Sequence, residues 1–373
     1  MKKIAFIRSN QIHSDSRAEK YLAFYDDNGL DYTIIGWDRN DINVERKNTI
    51  YYRRKVGYVV GGLKAAFNRL FWFRFVVGTL RHLKSKPEFI HACDLDCAFP
   101  AVLYKMFFNR KVYILFDVFD WMSAGIQVNR NRLVGKSILW MERVCLKWCD
   151  KLLICEEERK SQIPNYEKYN ISILPNIPMI EHDEIILREN NEYKFENDKI
   201  TLSYVGWFGY GRFLDELLDL AQDGYFNLLI AGYGNKEFEE RCTSLHNQGL
   251  IRYYGRVDYV MGLNIQYNAD MVYAMYCKVI NNHIYAAPNK YYEAMFLGKP
   301  LLTTKGIIIG DKVTKMQTGF TVEENKDDII TLIKSLDRED MRRKGEVARA
   351  LWGKEYVNFT SNFLKTEYAR LIG

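Results

Sequence analysis

No run of about 20 apolar residues occurs in the sequence, so no segment reads as a membrane-spanning helix. The basic start MKKIAFIRS leads into only a few apolar residues, too few for the core of a secretory signal, and reads as a first β-strand. Seven cysteines are present, but no C-x-x-C pair. Cys93/Cys97 and Cys145/Cys149 are each four apart, which places each pair on one face if helical. No histidine stands at a spacing that would complete a zinc site, so buried, reduced thiols of a cytosolic protein are expected. Solenoid-period repeats and low-complexity tracts are missing as well. G-x-x-x-x-G-K-[ST] is absent, which excludes a P-loop ATPase. G-x-G-x-x-G is absent too, and that counts against a nicotinamide-dependent oxidoreductase.

What is present describes a folded protein: 373 residues, 48% hydrophobic and 27% charged. That length suits two domains. Strand-like runs at Ile4–Arg8, Tyr32–Gly36, Phe89–Ala92, Val112–Phe116 and Leu152–Cys155 alternate with helical patterns at 14–27, 62–84, 99–107 and 132–148. After a polar break at Pro175–Lys199 the alternation resumes. Strands are expected at Leu202–Gly206, Leu228–Ala231, Ile251–Tyr254, Met271–Ala274 and Leu301–Thr303. The helices between and after them fall at 213–222, 236–245, 259–266, 290–297 and 327–336. Such alternation predicts α/β domains with parallel sheets covered on both faces, binding ligands at the carboxyl ends of their strands. We expect an N-terminal Rossmann-like domain over 1–180, a second over 199–350 and a last helix over 351–373.

Charge is uneven. Residues 1–180 hold 29 Lys and Arg against 19 Asp and Glu, a balance of +10, and the remainder carries −4. Between Arg46 and Lys86 lie eleven basic residues and no acidic one. Arg53, Arg54, Lys55, Lys64, Arg69 and Arg74 are interleaved with Trp72, Phe67, Phe71 and other aromatics. A basic, aromatic, partly helical segment fits the headgroup plane of an anionic membrane. No nucleic-acid-binding motif accompanies it, so nucleic acid is not expected as a partner. A solvated helix face with core aromatics is the competing reading.

The most informative stretch is Ala287 to Pro300, APNKYYEAMFLGKP. It predicts a helix opening after Pro288 near Asn289 and stopping at Gly298. A helix start carries partial positive charge and suits a phosphate. Lys290 adds a full charge there, and Glu293 lies one turn on. A second phosphate candidate is Gly206-Trp207-Phe208-Gly209-Tyr210-Gly211-Arg212, between a strand and a helix. Its glycines let backbone approach an anion, and Arg212 can grip phosphate oxygens bidentately.

These residues resemble the donor site of retaining GT-B glycosyltransferases of the family-4 type, where the helix reads K-x-x-E-A-M-A-x-G-K-P. Lys290, Glu293, Ala294, Met295, Gly298, Lys299 and Pro300 match. LPNIP at 174–178, AGYGN at 231–235, YYGRV at 253–257, YNADMVYAMY at 267–276 and TGFTV at 318–322 follow in the family's order. The resemblance implies a GT-B fold, two doubly wound domains facing a central cleft, and the last helix, 351–373, resembles the family's closing helix, which returns to the first domain. It implies a hexosyltransferase acting with retention and without an essential metal, on a nucleotide-sugar donor, UDP being the commoner one. No cofactor is implied beyond that co-substrate.

Lys290 would contact the diphosphate and Glu293 the ribose. Gly206, Gly209, Gly211, Arg212 and Asn289 would complete the phosphate cradle. The family's second Glu falls at Tyr285, leaving Asn282 and His283 to contact the sugar. Relatives often have D-x-H-E where this chain has Asp117-Val118-Phe119-Asp120. Asp120, or Asp94 after the H-A-C-D strand end, would then take the catalytic role, with helix capping as the structural alternative for both. Asp94-Leu95-Asp96 also resembles the metal-binding D-x-D of the GT-A fold, a reading the donor-site resemblance outweighs. The basic patch adds a lipid-linked saccharide acceptor and a cytoplasmic location, peripheral on the inner face of the cell membrane. The expected role is bacterial surface-polysaccharide synthesis, as for capsule or O-antigen. The alternative is an inactive nucleotide-sugar-binding partner of another transferase.

Overall fold

A computed structural model describes residues 2–10, 12, 15–39, 45–56, 63–125, 132–178 and 187–373, without the side chains of residues 16, 63–66 and 132. The chain divides into two compact units, Met1–Pro175 with Thr360–Gly373, and Asn176–Phe359. Part of the expected interdomain break, residues 179–186, lies outside the described residues.

In the first unit the strands are β1 (Ile4–Arg8), β2 (Tyr32–Asp38), β3 (Thr49–Arg53), β4 (Phe89–Cys93), β5 (Tyr113–Val118), β6 (Lys151–Ile154) and β7 (Ile171–Ile173). They form one sheet in the order β3-β2-β1-β4-β5-β6-β7, and all neighbours are parallel. Helices α1 (Ser16–Asp27), α2 (Leu63–His82), α3 (Leu95–Phe107) and α4 (Arg132–Trp148) connect them. β1 and β4 are buried along their whole length, as strands covered on both faces must be. β3 and β7 were not anticipated. β3 alternates half-buried and exposed residues at the sheet edge, and β7 is only three residues long.

α2 presents Trp72, Phe73, Val76 and Leu80 to the core. Trp72 is fully buried, stacks on Trp37 at 5.4 Å between ring centroids and donates to the Asp96 carbonyl at 2.8 Å. It therefore cannot belong to a membrane-facing patch, and the sequence reading is corrected there. Burial of a side chain that large stabilises by about 1.5–3 kcal/mol, more than a surface contact returns. Cys93 ends β4 and Cys97 lies in α3, so this pair does not share a helix face. All seven cysteines are free thiols.

The chain's last residues belong to the first unit. Tyr368 is buried; its hydroxyl meets His91 Nδ1 at 2.7 Å and also bonds the Tyr25 hydroxyl. The Lys2 amide bonds the Ile372 carbonyl at 3.1 Å, and Lys151 pairs with Glu367 at 2.8 Å.

The second unit has β8 (Thr201–Phe208), β9 (Asn227–Gly234), β10 (Arg252–Tyr253), β11 (Met271–Ala274), β12 (Leu301–Thr304) and β13 (Gly319–Val322). The order is β10-β9-β8-β11-β12-β13, again all parallel. Between strands run α5 (Leu214–Gln222), α6 (Lys236–Asn247), α7 (Tyr259–Tyr267), α8 (Asn281–Ile284), α9 (Asn289–Leu297) and α10 (Ile308–Met316), followed by α11 (Lys326–Ser335) and α12 (Arg338–Leu351). α9 ends as its sequence predicts. Gly298 takes φ +68 and its amide bonds back to Ala294 and Met295.

No helix among the described residues is long and apolar enough to cross a membrane.

Candidate functional site

The second unit's site starts on β8. Strand alternation puts Tyr204, Gly206 and Phe208 on one face. Gly206 has φ +155, and a Cβ there would lie 2.7 Å from Lys290 Nζ. It pairs across to Gly232 of β9, whose own Cβ would strike the Gly206 carbonyl oxygen at 1.8 Å. Two facing glycines thus clear the carboxyl end of the sheet, and the Lys290 ammonium occupies the cleared side. It lies 4.8 Å from the centroid of the Tyr204 ring, where the ring's negative face stabilises a cation. Lys290 is the second residue of α9, at the electropositive end of that helix. Burial lowers its pKa to about 8, with Glu293 raising it and Arg212 lowering it further.

The turn after β8 brings the other cation. Gly211 has φ +80, and a Cβ there would stand 2.8 Å from His283 Cε1. Arg212 lies over the Tyr276 ring at 4.3 Å. Arg212 Nε and His283 Nδ1 are buried without a hydrogen-bond partner in the protein. Burial, reinforced by Arg212, holds His283 down to about 4, so its imidazole is neutral near pH 7. A cleft of about 650 Å³ beside this turn takes in Gly209, Gly211, Arg212, Asn235, Arg241 and Cys277. Its size is that of a small-ligand pocket.

Of the nine expected donor residues, Gly206, Gly211, Arg212, His283 and Lys290 come together. Gly209 lines the cleft with Gly211 and Arg212 and lies under the Trp207 indole, which a Cβ at 209 would strike at 1.8 Å. Asn282 lies in the single turn of α8, and Asn289 opens α9. Glu293 is buried and accepts from Gln266 Nε2 at 3.1 Å. Tyr259 also hydrogen-bonds it, while burial pushes its carboxyl upward against the pull of Lys290. Sequence reasoning missed Tyr204, Tyr276, Gln266 and Tyr259. The period-two alternation of β8 carries the signal for Tyr204. The other three arrive from distant segments and leave no local signature.

Gly206→Ala tests the cradle. We expect at least a tenfold loss of UDP affinity by calorimetry, because the new methyl displaces Lys290. Backbone strain of about 1–3 kcal/mol should accompany it in urea unfolding.

In the first unit, Asp94 and Asp120 do meet at the sheet's carboxyl edge. Asp94 takes the left-handed φ of +66 at the start of α3 but makes no side-chain cap there, so the capping alternative fails for it. Its carboxylate instead holds Arg8 at 2.5 Å and the Phe119 amide at 3.0 Å. Burial raises Asp94 to about 6, against the lowering by Arg8. Asp120 is largely exposed and pairs with the buried Arg159 at 3.0 Å. Phe119 lies under two guanidinium groups, Arg8 at 4.1 Å and Arg17 at 4.9 Å from its ring centroid.

Among the described residues His91, Cys93 and Asp117 form the one group able to offer three metal-ligand atoms, within 4.8 Å of one another. All three are buried. Asp117 already binds Arg17 at 2.6 Å, and His91 binds Tyr368, so their lone pairs are committed to the protein.

Of the basic patch, Arg53, Arg54, Lys55 and Arg74 are exposed and Arg69 is half-buried. The Lys64 side chain lies outside the described residues.

No protein-family model and no curated protein matches the chain. Solved structures do. Sucrose-phosphate synthase from Thermosynechococcus elongatus superposes with a TM-score of 0.73 at 15% identity, covering 100% of this chain and 99% of that one. MnaA of S. aureus, solved with UDP, gives 0.65 at 13% identity, covering 100% and 98%. The lipopolysaccharide outer core galactosyltransferase WaaB gives 0.60 at 14% identity, covering 99% of both chains. At these identities the likeness is one of fold, and with two parallel-sheet α/β units matched over the whole chain, that fold is the GT-B fold of glycosyltransferases.

Proposed function

We propose that the protein is a retaining glycosyltransferase that moves a hexosyl group from a UDP-sugar to a lipid-linked or saccharide acceptor in bacterial surface-polysaccharide synthesis. The observation that carries this reading is the Lys290 ammonium seated over Gly206 at the start of α9, with Arg212 beside it. Two cations and a helix N-terminus at one point are what a departing nucleoside diphosphate requires. With that charge supplied by the protein, the chemistry proceeds without an essential metal. The acceptor hydroxyl attacks the anomeric carbon on the face that UDP leaves. A β-phosphate oxygen takes the hydroxyl proton as the carbon–oxygen bond to UDP breaks and the glycosidic bond forms. That route needs no histidine, which accommodates Phe119. Asp94, a carboxylate held by Arg8 at 2.5 Å, is the group in the first unit that would accept a hydrogen bond from the acceptor hydroxyl and orient it while the β-phosphate oxygen takes the proton.

The cytoplasmic face of the membrane is the location that fits a nucleotide-sugar donor and a basic surface on the first unit. A second reading is favoured by Phe119 and Tyr285: a nucleotide-sugar-binding partner that does not itself catalyse.

A panel of UDP-hexoses with UDP-release detection separates these. Release, fast with acceptor or slow by hydrolysis, is expected. Binding without release would support the inactive partner. A nucleotide sugar isomerised with no release of UDP would overturn transfer. Asp94→Asn should lower kcat at least tenfold while leaving UDP affinity within twofold, since it removes no donor contact.

A further inference from the structure

Gly78 lies in the interior of α2, yet the surrounding fold does not demand a glycine there. A Cβ at that position would meet no heavy atom within 4 Å. Mid-helix glycine costs about 1 kcal/mol relative to alanine, and no packing contact explains it. The open space above Gly78 is a groove of about 490 Å³ between α2 and the edge strand β3. Tyr52, Phe71 and Phe75 wall it, with Arg74 and His82 supplying polar groups. Positions 71, 74, 75, 78 and 82 recur at helical spacing and so share one face. Phe67 and Leu70, each 59% exposed, carry the apolar stripe a turn further toward the helix start. From Phe67 to His82 the helix rises roughly 22 Å.

The charge around the groove has one sign. Arg54 lies over the Phe71 ring at 4.6 Å, and Arg74 is exposed at the groove itself. No Asp or Glu occurs between Arg46 and Lys86. An open apolar groove with a cationic rim complements an amphiphile with a hydrocarbon tail and an anionic head.

We propose that this groove binds the hydrocarbon chain of a single-chain anionic amphiphile, its phosphate or carboxylate head against Arg74 and Arg54. The proposal rests on the transferase reading only in assigning that amphiphile to the acceptor's lipid part.

Dodecyl phosphate, titrated calorimetrically into the full chain below its micellar concentration, should show one saturable site. Gly78→Phe, which fills the groove, should weaken binding at least tenfold, and Gly78→Leu should follow it. Gly78→Ala should bind within twofold of the parent. Arg74→Glu should weaken dodecyl phosphate at least fivefold. UDP titration of each variant reports whether the chain is intact and tests the donor reading separately. Dodecyl phosphate bound without UDP would leave the groove standing and remove the transferase reading. Equal affinity of parent and Gly78→Phe would overturn the groove. So would binding seen only with phosphatidylglycerol vesicles and insensitive to Gly78→Phe, which would make α2 a surface helix.

Discussion

A Lys290→Met variant should bind UDP at least a hundredfold more weakly than the parent. The change keeps the length of the side chain and removes its charge. Truncating one partner of a desolvated, hydrogen-bonded charge pair costs about 2–5 kcal/mol, and a hundredfold is about 2.7 kcal/mol. The pyrophosphate would keep Arg212 and the helix N-terminus, which is why some affinity remains. Folding stability at pH 7 should not fall, because the change removes a buried ammonium while Glu293 retains Gln266 and Tyr259.

The pH profile gives an independent reading of the same residue. Burial places Lys290 at about 8 in the folded chain, against 10.5 for an ordinary lysine. As pH rises through about 8 the ammonium loses its proton, so UDP affinity should fall, approaching tenfold per pH unit above that point. Lys290→Met should flatten this limb. Stability moves the opposite way. Between about 8 and 10.5 the unfolded chain holds the proton that the folded chain has lost, so Lys290's contribution makes folding more favourable as pH rises. Affinity falling while stability rises, over one pH window, distinguishes a buried functional lysine from general alkaline damage. Calorimetry at pH 8.5 in buffers of different ionisation enthalpy should also show proton uptake on binding.

Much of this was legible in the sequence because it is local. Met271–Ala274 and Arg132–Trp148 were anticipated at the very residues they occupy, since a fully buried parallel strand reads as a short continuous apolar run and a long amphipathic helix carries a strong period. The helix at Asn289–Leu297 was framed by its proline and glycine. Edge strand β3 was hidden inside the basic stretch, which was read as a partly helical, membrane-facing segment. Trp72 was misassigned because its composition was read without its phase. Residues 72, 73, 76 and 80 turn inward on α2, while 67, 70, 71 and 74 turn outward. Lys290 and Arg212 were found as separate motifs. That Lys290 comes to Gly206 and Tyr204 and Arg212 to Tyr276 nearby depends on the order of strands β8 and β11, which no local pattern encodes.

Asp117→Ala should destabilise the first unit by about 3–5 kcal/mol, the cost of leaving a buried guanidinium without its carboxylate. Asp117 is fully buried at the end of β5. Its oxygens receive Arg17 Nη2 at 2.6 Å, Arg17 Nε at 3.1 Å, the Tyr21 hydroxyl at 3.1 Å and contact His91 Nε2 at 3.2 Å. Arg17 reaches on to the Leu174 carbonyl at 3.1 Å, so one ion pair ties α1, β4, β5 and the chain after β7 together. Burial alone would raise this carboxyl. Arg17, with His91, outweighs burial and holds it at about 2, below the ordinary 3.8. A depressed carboxylate contributes its full stability above the unfolded value, so the loss should set in as pH falls below about 4 and be complete near 2. Asp117→Ala should therefore lose that part of the acid limb. Replacing both partners, as Arg17→Met with Asp117→Leu, leaves no stranded charge and should recover at least half of the loss. Urea unfolding of the full chain, followed as two transitions at pH 7 and pH 3, decides it. A double variant no more stable than Asp117→Ala would mean that the hydrogen bonds to Tyr21, His91 and Leu174, and not the buried charge, carry the stability.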